Sequence, residues 1–167
     1  MKVLFIDDEP LIRKGLQLVI PWAEYGFNCF FEAEDGPEGL KIIEEENPEL
    51  VLLDIHMETM SGLSVAKKAR ERDFSGRIII LSGYSDFKYA QTAMKFGVKY
   101  YLTKPMDEEE LESVVKEVYA SIQGKRQKKK DDEFFRRKSK KEILLDLVKG
   151  QIRYELFNLA DLNLEAE

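Results

Sequence analysis

Two acidic clusters stand at the ends of apolar runs. Val3-Leu4-Phe5-Ile6 leads into Asp7-Asp8-Glu9, and Leu50-Val51-Leu52-Leu53 leads into Asp54-Ile55-His56-Met57. If both runs are strands of one parallel sheet, their carboxylates emerge at the same rim. Like charges so close repel, and their field favours a cation or a raised pKa. Asp8 and Asp54 could give two carboxylates to a hard divalent ion such as Mg²⁺, which keeps several of its waters, with the His56 backbone carbonyl as a third oxygen and Asp7 behind them. The His56 imidazole has no part in that reading. A cation there would mask the acids and let Asp54 act as a nucleophile toward an anionic phosphoryl donor. Phosphoryl transfer asks for charge stabilisation and alignment more than proton handling. Lys104, after a fifth apolar run, could reach the rim as a point charge, and Ser82, after a fourth, offers a hydroxyl to a phosphoryl oxygen.

The elements that must position these groups alternate. Val3–Ile6 reads as a first strand; Pro10 then suits a first helical turn, and Leu11, Ile12, Leu16, Val19 and Ile20 follow at helical spacing. Phe27 to Ala33, between Gly26 and Asp35-Gly36, reads as a second strand, and Gly36-Pro37-Glu38 opens a helix that Asn47-Pro48 stops. Leu50–Leu53 is the third strand, with a helix after Gly62 that turns Leu63, Val65, Ala66 and Ala69 inward. Arg77 to Leu81 is the fourth. A helix capped by Ser85 or Asp86 follows, with Tyr89, Ala90, Ala93, Met94 and Phe96 on its apolar side and a left-handed stop at Gly97. Val98 to Leu102 is the fifth strand, and a helix from Asp107 to about Ile122 closes the series.

Strand and helix in strict alternation imply an α/β fold, a doubly wound five-stranded parallel sheet with helices on both faces. In such sheets ligands bind outside the carboxyl ends of the strands, where the order reverses. With the order 2-1-3-4-5 that point lies between strands one and three, which end in Asp7-Asp8 and Asp54.

Composition narrows the function. The chain has 167 residues, 44% of them apolar, enough for one ordinary domain and an appendage. Its 32 acids and 26 bases give a net charge of −6, which argues against a nucleic-acid-binding body. The bases cluster, with ten Lys/Arg against three Asp/Glu from Gly124 to Lys141, which leaves −13 for the rest. The single cysteine, Cys29, excludes an internal disulfide and reads as a small buried strand residue. The amino terminus has no signal-peptide core and no stretch reaches the roughly 20 apolar residues of a membrane span, so a soluble cytoplasmic protein is expected. Residues 123–142 read as a charged basic linker or solvated helix. In 143–167, Ile143, Leu144, Leu147 and Val148 resume helical spacing; so short a segment cannot bury its own core and reads as a connector or the start of a second domain.

Four motifs carry a resemblance: Phe5-Ile6-Asp7-Asp8-Glu9-Pro10; Leu53-Asp54-Ile55-His56-Met57 with Met60-Ser61-Gly62-Leu63; Ile80-Leu81-Ser82-Gly83; and Tyr101-Leu102-Thr103-Lys104-Pro105. Together they make residues 1–122 similar to the receiver domain of two-component response regulators, a flavodoxin-like fold. The resemblance implies that Asp54 takes a phosphoryl group from a sensor histidine kinase, that Asp7 and Asp8 serve Mg²⁺, and that Ser82 and Lys104 engage the phosphoryl oxygens. It also implies a cis bond before Pro105, a switch role for Tyr101 together with Ser82, and a change in the face formed by helix four, strand five and helix five. Dimerisation is a family expectation as well.

The chain departs from the family at Glu58, where a proline is usual; an added carboxylate there could coordinate a metal water or slow phosphorylation by repulsion, and facing solvent is the simpler expectation. Ser82–Ala90 and Phe96–Leu102 are similar to the YesN/AraC-type subgroup, in which a connector and a helix-turn-helix pair that binds DNA follow the receiver. No helix-turn-helix pattern is readable in residues 123–167, so DNA contact is expected only through a domain outside this chain. The rival enzyme reading is a haloacid-dehalogenase-like phosphohydrolase, which also forms an aspartyl phosphate. Its nucleophile pattern would fall on Asp7 and Glu9 and fits poorly. A second rival is a nucleic-acid module on Lys125–Lys141, whose binding would weaken steeply with salt.

Overall fold

Leu50–Asp54 is buried along its whole length, as only a strand covered on both faces can be. It is the third strand (β3) of a computed structural model that describes residues 1–83 and 87–137, together with 142, 145, 146, 148 and 149. The described chain runs β1 (Lys2–Ile6), α1 (Pro10–Val19), β2 (Cys29–Ala33), α2 (Gly36–Glu46), β3 (Leu50–Asp54), α3 (Gly62–Glu71), β4 (Arg77–Ser82), α4 (Phe87–Lys95), β5 (Tyr100–Thr103) and α5 (Glu108–Arg137). The sheet is parallel in the order β2-β1-β3-β4-β5. The chain divides between Ala120 and Ser121 into two compact units. No helix among the described residues is long and apolar enough to cross a membrane.

Strand alternation sorts the core into two layers. Leu4, Ile6, Val51, Leu53, Ile78 and Ile80 join Val65, Ala66 and Ala69 of α3 and Leu40 and Ile43 of α2 in one cluster. On the other face Phe5 meets Trp22 edge-on at 5.5 Å, and the Trp22 indole N–H donates to the Leu16 carbonyl at 2.9 Å. Each such buried side chain contributes roughly 1.5–3 kcal/mol relative to an exposed one.

Helix boundaries follow local chemistry. The Asp35 side chain accepts from the Glu38 N–H while Glu38 reaches back to the Glu34 N–H, a reciprocal cap for α2. Asn47, at φ 45°, closes it. Ser61 caps α3. Gly97, at φ +70°, ends the turn after α4 in the left-handed region. The expected caps Ser85 and Asp86 lie outside the described residues, as does most of 143–167.

Several expectations need correction. The last helix does not stop near Ile122: α5 continues to Arg137. Lys, Gln, Arg and Glu are good helix formers, and pairs such as Gln127 and Asp131, 2.8 Å apart, support a solvated helix through Gly124. Cys29 is exposed, because it opens an edge strand. Leu11 and Met94, spaced as inward residues, are 82% and 66% exposed; helical spacing does not by itself tell the centre of an apolar stripe from its edge. Phe27 is fully buried but precedes β2, its N–H bonded to the Trp22 carbonyl.

Candidate functional site

Sheet register assembles the site. Ile6 is level with Leu53, so Asp7 and Asp54 leave the sheet side by side. Asp54 is level with Leu81, which places Ser82 one step beyond, and Ser82 is level with Thr103, after which comes Lys104. The four positions read from the apolar runs therefore gather at one rim beside the reversal of strand order. The Lys104 N–H donates to the Ser82 carbonyl at 2.7 Å, and the Lys104–Pro105 bond is cis.

Lys104 is the hub. Its Nζ lies 2.7 Å from Asp54 Oδ1 and 2.8 Å from Asp7 Oδ2. The second oxygen of Asp54 accepts the His56 N–H at 2.6 Å. Burial pushes the Asp54 carboxyl above its ordinary range; the Lys104 hydrogen bond and charge oppose this, and the neighbouring charge of Asp7 adds to it. Burial also works against the Lys104 charge, but its bonds to Asp54 and Asp7 outweigh that and hold the ammonium above its usual pKa.

Every polar atom of Asp7 has a protein partner. Its N–H donates to the Ala33 carbonyl at 3.2 Å, its carbonyl accepts from Arg13 Nη1 at 2.6 Å, Oδ1 accepts the Glu9 N–H at 2.9 Å, and Oδ2 meets Lys104. Asp8, by contrast, is exposed. Carboxylate oxygens of Asp7, Asp8 and Glu9 lie within 4.8 Å of one another. This hard all-oxygen donor set fits Mg²⁺. Asp54 reaches the group through Lys104, which bridges it to Asp7. A cleft of about 630 Å³ opens beside it, lined by five carboxylates, those of Asp8, Glu9, Glu34, Asp35 and Glu58. Glu58 is exposed, and it faces this acidic cleft.

Ser82 is fully buried at the end of β4. Tyr101 is partly buried against the core cluster rather than standing free of it. The His56 ring, which sequence reasoning set aside, packs edge-on against Tyr89 of α4 at 5.5 Å. Sequence reasoning also passed over Arg13, which lies on α1 and bonds both Asp7 and Glu32. No local pattern reveals that link, since Glu32 sits on another strand.

The chain is similar to known proteins in sequence and in fold. The family profile described as "Response regulator receiver domain" matches residues 3–116. The transcriptional regulatory protein HptR of Staphylococcus aureus (strain NCTC 8325 / PS 47) is 40% identical over 114 residues, which are 68% of this chain and 44% of that protein. The match thus spans less than half the length of these curated relatives. Among solved structures, the REC domain of AraT, a response regulator from Geobacillus stearothermophilus, is 37% identical with a TM-score of 0.70, covering 75% of this chain and 97% of that one. A two component transcriptional regulator AraC from Clostridium phytofermentans is 26% identical with a TM-score of 0.68, covering 77% and 98%.

Proposed function

Because the chain belongs to the response regulator receiver domain family of two-component systems, we propose that Asp54 is its phosphoacceptor and that residues 1–122 form a phosphorylation-driven signalling switch. The observation that supports this most is the Lys104 bridge between Asp54 and Asp7, a buried carboxylate held at both oxygens with a cation at its side. An Asp54 oxygen attacks phosphorus as the bond to a histidine nitrogen of the donor kinase breaks, and that nitrogen recovers a proton. The Asp54 carboxylate is already oriented by Lys104 and the His56 N–H, so little reorganisation accompanies the step. Mg²⁺, held by Asp8, Asp54 and the His56 carbonyl with Asp7 behind them, would supply charge neutralisation between the acids and the phosphoryl oxygens.

Once Asp54 carries the phosphoryl group, Lys104 stays paired with the new anion and Ser82 donates its hydroxyl to it. Tyr101 repacks, and the face formed by α4, β5 and α5 changes its partner preference. Such a change draws on differential contacts in two pre-existing states. The chain acts in the cytoplasm, with a sensor histidine kinase as partner and homodimerisation as one output. Residues 123–142 serve as a linker and 143–167 begin a connector, and DNA contact belongs to a domain outside these residues. The phosphohydrolase alternative gains nothing from the geometry: its nucleophile pattern would fall on Asp7 and Glu9, and Pro10 opens α1 directly after them.

Hydrogen exchange tests the switch. Treatment with Mg²⁺ and phosphoramidate should change amide protection across residues 87–103 in the wild type and not in Asp54→Asn. Equal traces with and without the phosphodonor, in a sample shown to be phosphorylated, would remove the switch.

A further inference from the structure

Arg13 projects from α1 with its side chain only 12% exposed and makes two contacts in different directions. Nη1 donates to the Asp7 carbonyl at 2.6 Å, and Nε donates to Glu32 Oε2 on β2 at 2.9 Å. Gln17, one turn further along α1, donates to the other Glu32 oxygen at 2.7 Å. The Arg13 and Gln17 hydrogen bonds hold the Glu32 carboxyl below its usual range. The guanidinium is therefore neutralised and fixed from behind, which makes it a strut more than a cation competing for the acidic rim.

What the strut touches decides its role. The Asp7 carbonyl belongs to the peptide that joins Asp7 to Asp8, and that unit is planar. With the Asp7 N–H held by Ala33 and its carbonyl by Arg13, the direction in which Asp8 leaves β1 is set. Asp8 itself is exposed, so its direction follows that of the peptide that carries it.

We propose that Arg13 is a positioning residue for Mg²⁺ binding: anchored by Glu32 and Gln17, it holds the Asp7–Asp8 peptide so that the Asp8 carboxylate faces the metal. This rests on the metal site assigned above. Partners one shell removed from a metal typically alter affinity about 10- to 100-fold; acting through one further backbone bond, Arg13 should contribute about three- to tenfold.

The sign of the effect separates positioning from simple charge. Removing a cation beside three acids would tighten Mg²⁺ by electrostatics alone, whereas losing the strut weakens it. Isothermal titration of Mg²⁺ into wild type, Arg13→Met, Arg13→Lys, Glu32→Gln and Asp8→Asn reads this directly. Arg13→Met should raise the Kd about three- to tenfold. Arg13→Lys should also raise it despite keeping the charge. Glu32→Gln should shift the Kd the same way, but it also removes an acid, so Arg13→Lys, which keeps the charge and loses the two-point geometry, decides the matter if Arg13→Met does not fold. Unchanged or tighter binding by a folded Arg13→Met, or by Arg13→Lys in its place, with Asp8→Asn clearly impaired, would overturn this inference alone. No Mg²⁺ binding by wild type, or equal binding by Asp8→Asn, would overturn the metal site and the inference with it.

Discussion

The Lys104 ammonium lies 2.7 Å from Asp54 Oδ1, joining the end of β5 to the end of β3 across the intervening β4. The same nitrogen is 2.8 Å from Asp7 Oδ2. One cation therefore offsets the repulsion of two buried carboxylates that the sheet register forces together.

Lys104→Met leaves those two acids facing each other. Removing one partner of a fully buried ion pair costs about 3–5 kcal/mol; with 19% of the Lys104 side chain exposed, a loss of about 1–3 kcal/mol is expected near pH 7.5. The Lys104 pKa is raised, so its contribution is complete below the ordinary lysine value and disappears only as pH rises through the native one. In the variant, Asp54 can relieve the repulsion by taking up a proton, so the deficit should shrink toward pH 5. Urea unfolding at the two pH values in EDTA checks both statements, and a deficit that grows on acidification contradicts them.

Asp54 has the opposite linkage from an ordinary paired carboxylate. Its native pKa is raised, chiefly by burial, so the folded chain holds the Asp54 proton more tightly than the unfolded chain does. Its contribution to stability therefore falls as pH rises from about 3.9 through the raised native value. Asp54→Asn lacks this titration. In metal-free buffer the variant should gain on wild type in urea midpoint between pH 4.5 and pH 7.5; a constant difference, or a gain by wild type, would contradict the assignment.

Much of this rim could be read from the chain because Asp7, Asp54 and Ser82 each directly follow an apolar run that can only be a buried strand. Lys104 follows Thr103 at the end of the partly buried β5, and there the parallel alternation of elements supplied the place. The signal fails where a residue acts from a helix onto a distant backbone atom, as Arg13 does on Asp7, or where a ring's partner sits on another element, as His56 does with Tyr89. It fails too for α5, whose continuation to Arg137 depends on helix-forming charged residues without an apolar period. Leu11 had the right spacing, but spacing alone does not tell the centre of a buried stripe from its edge.

Gly62 should tolerate no side chain. A Cβ there would lie 2.1 Å from the Asp54 carbonyl oxygen, a backbone atom that cannot move without disturbing the turn after β3. At Gly39 the nearest obstacle, at 2.5 Å, is the terminal methyl of Ile6, which can rotate. Overpacking typically costs about 1–3 kcal/mol. Gly62→Ala should lie at or beyond the top of that range and Gly39→Ala nearer the bottom, as measured by thermal and urea unfolding; the reverse order would show that the Asp54 turn is looser than its contacts indicate.

The central claim is that Asp54 receives the phosphoryl group. Intact-mass spectrometry after incubation with Mg²⁺ and acetyl phosphate should show the addition of one phosphoryl group to wild type, none to Asp54→Asn, and none to wild type in excess EDTA. Equal labelling of wild type and Asp54→Asn would contradict the account.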